Sequence, residues 1–517
     1  MLLSILIFAP LLIALILAVL PDNKGIKYFA LGSSIIQFFI SLLVYQSFDP
    51  NSASLQLVER LPWITQYGIT YFVGIDGISI WLVMLTTILM PIMILGSWTA
   101  ITERVKGFLI CLFVLQTAML GTFLAMDAIL FYLFWELSLV PMYFIVGIWG
   151  GNRRIYATIK FFIYTMFGSV LMLVAMIYLM FLTQEAFGQM SASILDFYRL
   201  DIPFVGGQFF GLQTLMFFAF ALAFAIKVPV FPFHTWLPDA HVEAPTPGSV
   251  VLAAVMLKMG TYGFLRWVIP MFPEASEYWA WLFMLVGSIG IVYGALMAMV
   301  QTDIKKLVAY SSVSHMGYVL IGMFCFNIQG MSGALYQMLN HGVSTGALFL
   351  LVGMIYERTH TREISKYGGL ASRMPLFTIS FFIITLSSIA VPLTNGFVGE
   401  FLILLGTFKA SFGFAVVAVS GVVLGAVYML WMFKKVFFGE ESDMVKDTHH
   451  PLKDLNYREL IVMSPLIILV FWMGLFPNLF LDPTNKSLNH LLENRFNYNL
   501  TVTETTQSEL KTAGIEK

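Results

Sequence analysis

Apolar residues run through this chain in blocks of about twenty, separated by short polar clusters. A helix rising 1.5 Å per residue needs about 20 such residues to cross a bilayer. The pattern predicts fourteen spans, at 2–20, 28–47, 77–99, 107–125, 128–149, 157–182, 209–230, 247–271, 278–300, 305–325, 331–356, 375–408, 411–437 and 460–481. Two depart from a plain helix. The seventh meets Pro229 and Pro232, and the twelfth is too long for one straight span and contains Val391-Pro392-Leu393-Thr394-Asn395-Gly396. Both are expected to be broken helices. Because the breaks lie five spans apart, the chain reads as two five-helix repeats, 107–271 and 278–437. An odd number of helices per repeat makes the second copy inverted in the membrane. Helices 1–3 (1–106) precede the repeats, and a polar loop, helix 14 and a polar tail (438–517) follow. The tail beyond about 482 reads as a short extension.

Composition agrees with an all-α polytopic membrane protein: 59% of the 517 residues are hydrophobic and 11% charged, against about 25% charged in soluble domains. A net charge of −1 leaves no basic footprint for nucleic acid. The run Leu2–Leu20 has no basic residues ahead of it and reads as an uncleaved first helix. With the N-terminus outside, the inside loops hold 18 of the 28 Lys and Arg residues and the outside segments 8; Lys227 and Lys258 remain within spans. That bias places both termini on the outer side. Cys111 and Cys325 stand alone in apolar runs, and an iron–sulfur cluster needs about four thiolates. With no dinucleotide or Walker motif either, this chain is expected to hold no cofactor.

The chemistry lies in the charges at membrane depth. Glu136, Lys227, Lys258 and Glu400 all fall within spans, joined by His234, His315 and His341. A lysine at the bilayer centre costs about 2.5–3.5 kcal/mol even on lenient insertion scales, and such residues mark ion paths. A lysine whose carboxylate neighbour moves closer or farther changes its hold on a proton, and histidines bridge such sites. Ser311, Ser312, Ser314, Ser344 and Thr345 are candidates to hold a water chain between them. The plainer reading makes Glu136 and Lys227 a static ion pair, which leaves Lys258 and Glu400 unexplained. Asp127 and Asp303, at span ends, are expected at the interface. A metal site is not expected, since prolines interrupt the spacing of His234, Asp239 and His241.

The stretch Lys227 to Lys258, with Pro232-Phe233-His234-Thr235-Trp236-Leu237-Pro238-Asp239-Ala240-His241 and Ala244-Pro245-Thr246-Pro247, closely resembles the antiporter-like subunits of respiratory complex I and of multi-subunit sodium/proton antiporters. Phe134-Trp135-Glu136-Leu137, the run Asp303 to Gly317 and Asn340-His341-Gly342 extend the match over nearly the whole chain. Within the family, glutamate after the break in span 12 resembles the M branch, counterpart of mitochondrial chain 4; the sister L and N branches carry lysine there. The resemblance implies a proton relay: Glu136 as carboxylate partner, Lys227 as gated lysine, Lys258 as centre, His315 and His341 as connectors, Glu400 as terminal site, and His234 as a further candidate. It also implies a bacterial inner membrane and L- and N-like neighbours on either side. NADH, FMN, iron–sulfur clusters and quinone would be held by partner subunits. The rival readings are a sodium/proton antiporter subunit, a quinone-binding subunit and a passive membrane scaffold; the neighbouring genes would separate the first, and four buried charges speak against the last.

Overall fold

The computed structural model describes residues 1–208, 210–446 and 451–503. Its main helices are α1 (Leu2–Val19), α2 (Gly25–Gln46), α3 (Ile80–Gly96), α4 (Val105–Leu124), α5 (Ala128–Leu137), α6 (Leu139–Trp149), α7 (Arg154–Phe187), α8 (Leu212–Lys227) and α9 (Trp236–Glu243). The continuous helical stretch Thr246–Met271 is α10. There follow α11 (Ala280–Met299), α12 (Ile304–Phe324), α13 (Ile328–Thr359), α14 (Pro375–Ser388), α15 (Asn395–Ala410), α16 (Phe412–Phe437), α17 (Tyr457–Leu475) and α18 (Asn478–Glu493). Among the described residues eleven stretches are long and apolar enough to cross a membrane, counting α5 and α6 as one; α3, α8 and α14 are apolar but shorter. The chain is a mostly helical membrane protein. α10 and α13 are buried along their whole apolar windows, whereas α1, α2 and α16 are buried over a third or less. The inner helices therefore form the core and the outer ones face lipid.

The breaks have local causes. Pro229 has no N–H to return to the Ala225 carbonyl, so Val230 N–H bonds it instead, at 2.8 Å. The Trp236 indole N–H takes the freed Ile226 carbonyl at 2.9 Å. The second break lies between α14 and α15, where Ala390 and Leu393 take positive φ (56° and 76°) around Pro392. A third break was not foreseen. Span five parts at Ser138, because Pro141 offers no N–H to the Leu137 carbonyl. α10 carries two π-helical turns, 252–256 and 264–268, on either side of Lys258.

Three expectations are corrected. The chain is not wholly α: β1 (Gln56–Ile64) and β2 (Ile69–Ile75) form an antiparallel hairpin pairing Arg60 with Phe72. Alternation there is blurred by Pro62 and by the similar apolarity of both faces. The tail does not begin as an extension at 482: α18 runs to Glu493, burying Phe480, Leu488 and Leu491. Apolar residues recurring at helical spacing inside a polar stretch were the missed signal. Asp127 is not interfacial but fully buried; it caps α5 through Ile129 and Leu130 N–H and accepts from Thr70 of the hairpin. Asp303 is only partly exposed; it caps α12 and pairs with Arg362 at 3.2 Å.

The N-terminal amine meets Glu59 at 3.0 Å, and Leu55 N–H bonds Thr501 at 2.8 Å. The start of the chain, the hairpin and residues 498–503 therefore share one face, the terminal face. Lys511 and Lys517, counted with the outside residues, lie outside the described residues.

Candidate proton-relay site

Lys227 ends α8 just before the proline break, where the helix C-terminus favours a cation. Its side chain is buried, with Nζ donating to Ser138 Oγ at 3.2 Å and lying 5.0 Å over the Trp135 ring. Glu136 sits two residues before Ser138, half-buried, its Oε1 without a hydrogen-bond partner. No Glu136–Lys227 ion pair occurs within 4.0 Å among the described residues. The direct contact of the ammonium is therefore the Ser138 hydroxyl, and the static-pair reading has no contact within 4.0 Å behind it.

Lys258 lies wholly buried at the middle of α10. A π turn, 252–256, lies just behind it, and Nζ takes the Ala253 carbonyl at 2.5 Å while meeting His341 Nδ1 at 2.6 Å. From there the line runs on through the two histidine rings to Glu400. The His341 and His315 rings stand 5.8 Å apart edge to face. His315 Nδ1 lies 3.0 Å from Glu400 Oε1, and Gln337 Nε2 donates to the same oxygen at 3.1 Å. Asn340 donates in turn to Gln337 Oε1 at 3.0 Å. A polar cavity of about 10 Å³ touches His315, His341, Ser344, Thr345 and Ser387, room for about one water molecule. Four residues from α10, α12, α13 and α15 thus form a single buried file.

The other expectations divide. Ser344 joins Ser387 and Asn395 beside the file, and Thr345 lines the cavity. Ser311, Ser312 and Ser314 bond the backbone carbonyls of Val308 and Ile291 instead. His234 is buried off the file, stacked on Phe231, with Nδ1 unpartnered. No direct hydrogen bond links Lys227 to Lys258.

Charged and titratable groups that sequence reasoning missed are also buried. Arg266 was counted among outside residues but is fully buried with Asp76, at 2.5 Å. Lys305, counted inside, is buried and donates to the Ala244 carbonyl at 2.5 Å. His241 is buried against Phe349 with both ring nitrogens unpartnered. Arg266 and Lys305 lay near predicted span ends, where charge looks solvated.

The family described as NADH:quinone oxidoreductase/Mrp antiporter, transmembrane, matches residues 125–425. That described as NADH-ubiquinone oxidoreductase chain 4, amino terminus, matches 1–122. The chain is 49% identical over 503 residues to NADH-quinone oxidoreductase subunit M of Rhodobacter capsulatus, covering 95% of this chain and 96% of the relative. Among solved structures it is similar to a chain of respiratory complex I from Thermus thermophilus with bound NADH, at TM-score 0.83 and 31% identity over 95% of this chain and all of that one. A chain of the Mrp complex from Dietzia is similar in fold, at TM-score 0.79 and 20% identity over 94% of this chain and 52% of that one.

Proposed function

The chain belongs to the subunit M branch of the NADH:quinone oxidoreductase/Mrp antiporter family, and from that premise we propose how it carries protons. It is an antiporter-like membrane subunit of NADH:quinone oxidoreductase, a proton-translocating enzyme. Electron transfer takes place in partner subunits, which would hold NADH, FMN, the iron–sulfur clusters and quinone. Charge rearrangement spreading from them would swing Glu136 about the break at Ser138. When the carboxylate approaches Lys227 it replaces the hydroxyl as partner and the ammonium is held. When it withdraws, the proton is free to move on. Two unit charges about 4 Å apart at an effective dielectric of about 20 interact by about 4 kcal/mol, enough to drive such a switch. The proton would pass to Lys258, then through His341 and His315 to Glu400.

The observation that carries this reading is the buried file from Lys258 to Glu400, hydrogen-bonded at each end, with the two histidine rings 5.8 Å apart between. A structural role for four buried ionisable groups would not require them to line up across four helices. His234 stands beside Lys227's helix break and serves at most as a side branch.

We read the architecture as fourteen spans in two inverted five-helix repeats. The eleven long stretches, the shorter α3 and α8, and the broken α14–α15 support the count, and the described ends meeting at one face fit an even number. The repeats would be 107–271 and 278–437, with both termini outside a bacterial inner membrane and L- and N-like subunits as neighbours. An antiporter subunit is the weaker reading, since the Mrp likeness is one of fold and the close relative is a subunit M.

Lys227→Ala tests the switch. Proton uptake driven by NADH should fall at least about tenfold while the complex still assembles; normal uptake would remove Lys227 from the path.

A further inference from the structure

The relay needs a one-way exit, and a second route from Lys258 would run along α10 to the terminal face. Along α10, on the same side and one turn apart, stand Lys258, Tyr262 and Arg266, pointing towards the terminal face. All three are fully buried. The π turn at 264–268 loosens the backbone here as the one at 252–256 does behind Lys258. At the terminal face a cavity of about 620 Å³ is lined by Tyr198 and Tyr498 among others. The Tyr198 hydroxyl donates to the Arg266 carbonyl at 2.6 Å. An open space therefore comes within one side-chain layer of Arg266, and one more turn of helix separates Arg266 from Tyr262.

What stands in that gap is a fixed charge pair. Arg266 Nη2 donates to Asp76 Oδ1 at 2.5 Å, and Arg266 Nε donates to the Tyr262 hydroxyl at 3.2 Å. Tyr262 spends its own proton on the Phe123 carbonyl at 2.9 Å. Arg266 Nη1 and Asp76 Oδ2 have no protein partner, so the site has polar groups to attract water and is not sealed by dryness. A guanidinium stays charged in proteins and accepts no hydrogen bond. Placed in a narrow polar passage, it repels an excess proton, as the arginine of a water-selective channel does. Asp76, in the turn between β2 and α3, offsets the cost of burying it.

We propose that Asp76–Arg266–Tyr262 is an electrostatic plug. It closes a short circuit from Lys258 to the terminal face, so that protons leave only by way of Glu400. The proposal rests on the relay reading for Lys258, but its test does not use pumping.

Purified whole complex carrying Arg266→Met with Asp76→Leu is placed in liposomes with a pH-sensitive dye inside. Decay of an imposed pH gradient is followed with no NADH present. The plug predicts decay several-fold faster than with the parent complex, while Arg266→Lys, which keeps a cation against Asp76, stays near the parent rate. Arg266→Gln with Asp76→Asn keeps a hydrogen-bonding pair without charge and is the second variant if the first does not assemble; it should leak as well. Parent-like gradient decay in an assembled neutral variant overturns the proposal. Failure of both neutral variants to assemble overturns it too, since the pair would then be a folding contact. Loss of pumping with a tight membrane would instead point to the relay.

Discussion

An ammonium whose neighbours are one hydroxyl and two aromatic faces is held weakly enough to be moved. Lys227 has that setting: Ser138 at 3.2 Å, and the Trp135 and Phe161 rings at 5.0 and 5.9 Å. Glu400 has the opposite setting: one carboxylate oxygen accepts from Gln337 Nε2 at 3.1 Å and lies 3.0 Å from His315 Nδ1. On the proposed relay, this difference suits the first site to switching and the second to terminal holding. Glu400→Gln should assemble normally, since an amide oxygen still accepts from Gln337, but proton uptake should fall. Glu400→Lys should fall further, because Gln337 would have to turn its amide and give up Asn340. Both are checked by NADH-driven uptake in membrane vesicles, and a fully active lysine variant would show that the local donors do not matter. The residues of the file were legible in the sequence because ionisable groups stand out in apolar spans. Their order was not. Nothing in the sequence says that His341 meets Lys258 while His234 stands apart, because that depends on how α10 and α13 face each other.

The breaks at Pro229, Pro232 and Pro392 were readable, but the one before Pro141 was not, because it lies inside a span of ordinary length. The π turns of α10 were not, because no residue type marks them. They let Lys258 reach a carbonyl five residues back while α10 keeps its packing on α8. That packing depends on Gly260: a Cβ there would lie 2.8 Å from Val228 Cγ2 and 2.9 Å from the Phe224 carbonyl oxygen. Gly260→Val should therefore push α8 and its Lys227 away from α10. Overpacking of this kind costs about 1–3 kcal/mol. The expected result is less assembled complex and a lower thermal midpoint in detergent; unchanged assembly and activity would mean that the two helices have slack between them. The hairpin and α18 escaped sequence reading for a different reason. Each lies where apolar and polar residues mix without a span-length run, so a search for membrane-crossing lengths passes over them.

Over the whole molecule, the inner helices carry ionisable groups and the outer ones carry lipid-facing side chains. The hairpin, the first residues and α18 tie the terminal face together: Ser487 of α18 receives Gly77 N–H at 3.1 Å, beside the buried Asp76. The charged file crosses from α10 to α15 in the core. Glu136 and Lys227, on the other side of α10, reach it through no direct hydrogen bond, so coupling between the two halves is the step on which the account depends. Asp127 shows how charge near a span end misleads a sequence reading: it is a buried cap joining hairpin to helix. The measurement that tests the central claim most directly uses inverted membrane vesicles with Glu136→Gln, recording NADH oxidation and NADH-driven proton uptake together. The account predicts that both fall while the complex remains assembled, because the switch at Lys227 has lost its charged partner. Unchanged oxidation and unchanged uptake would contradict it and leave Glu136 a packing residue.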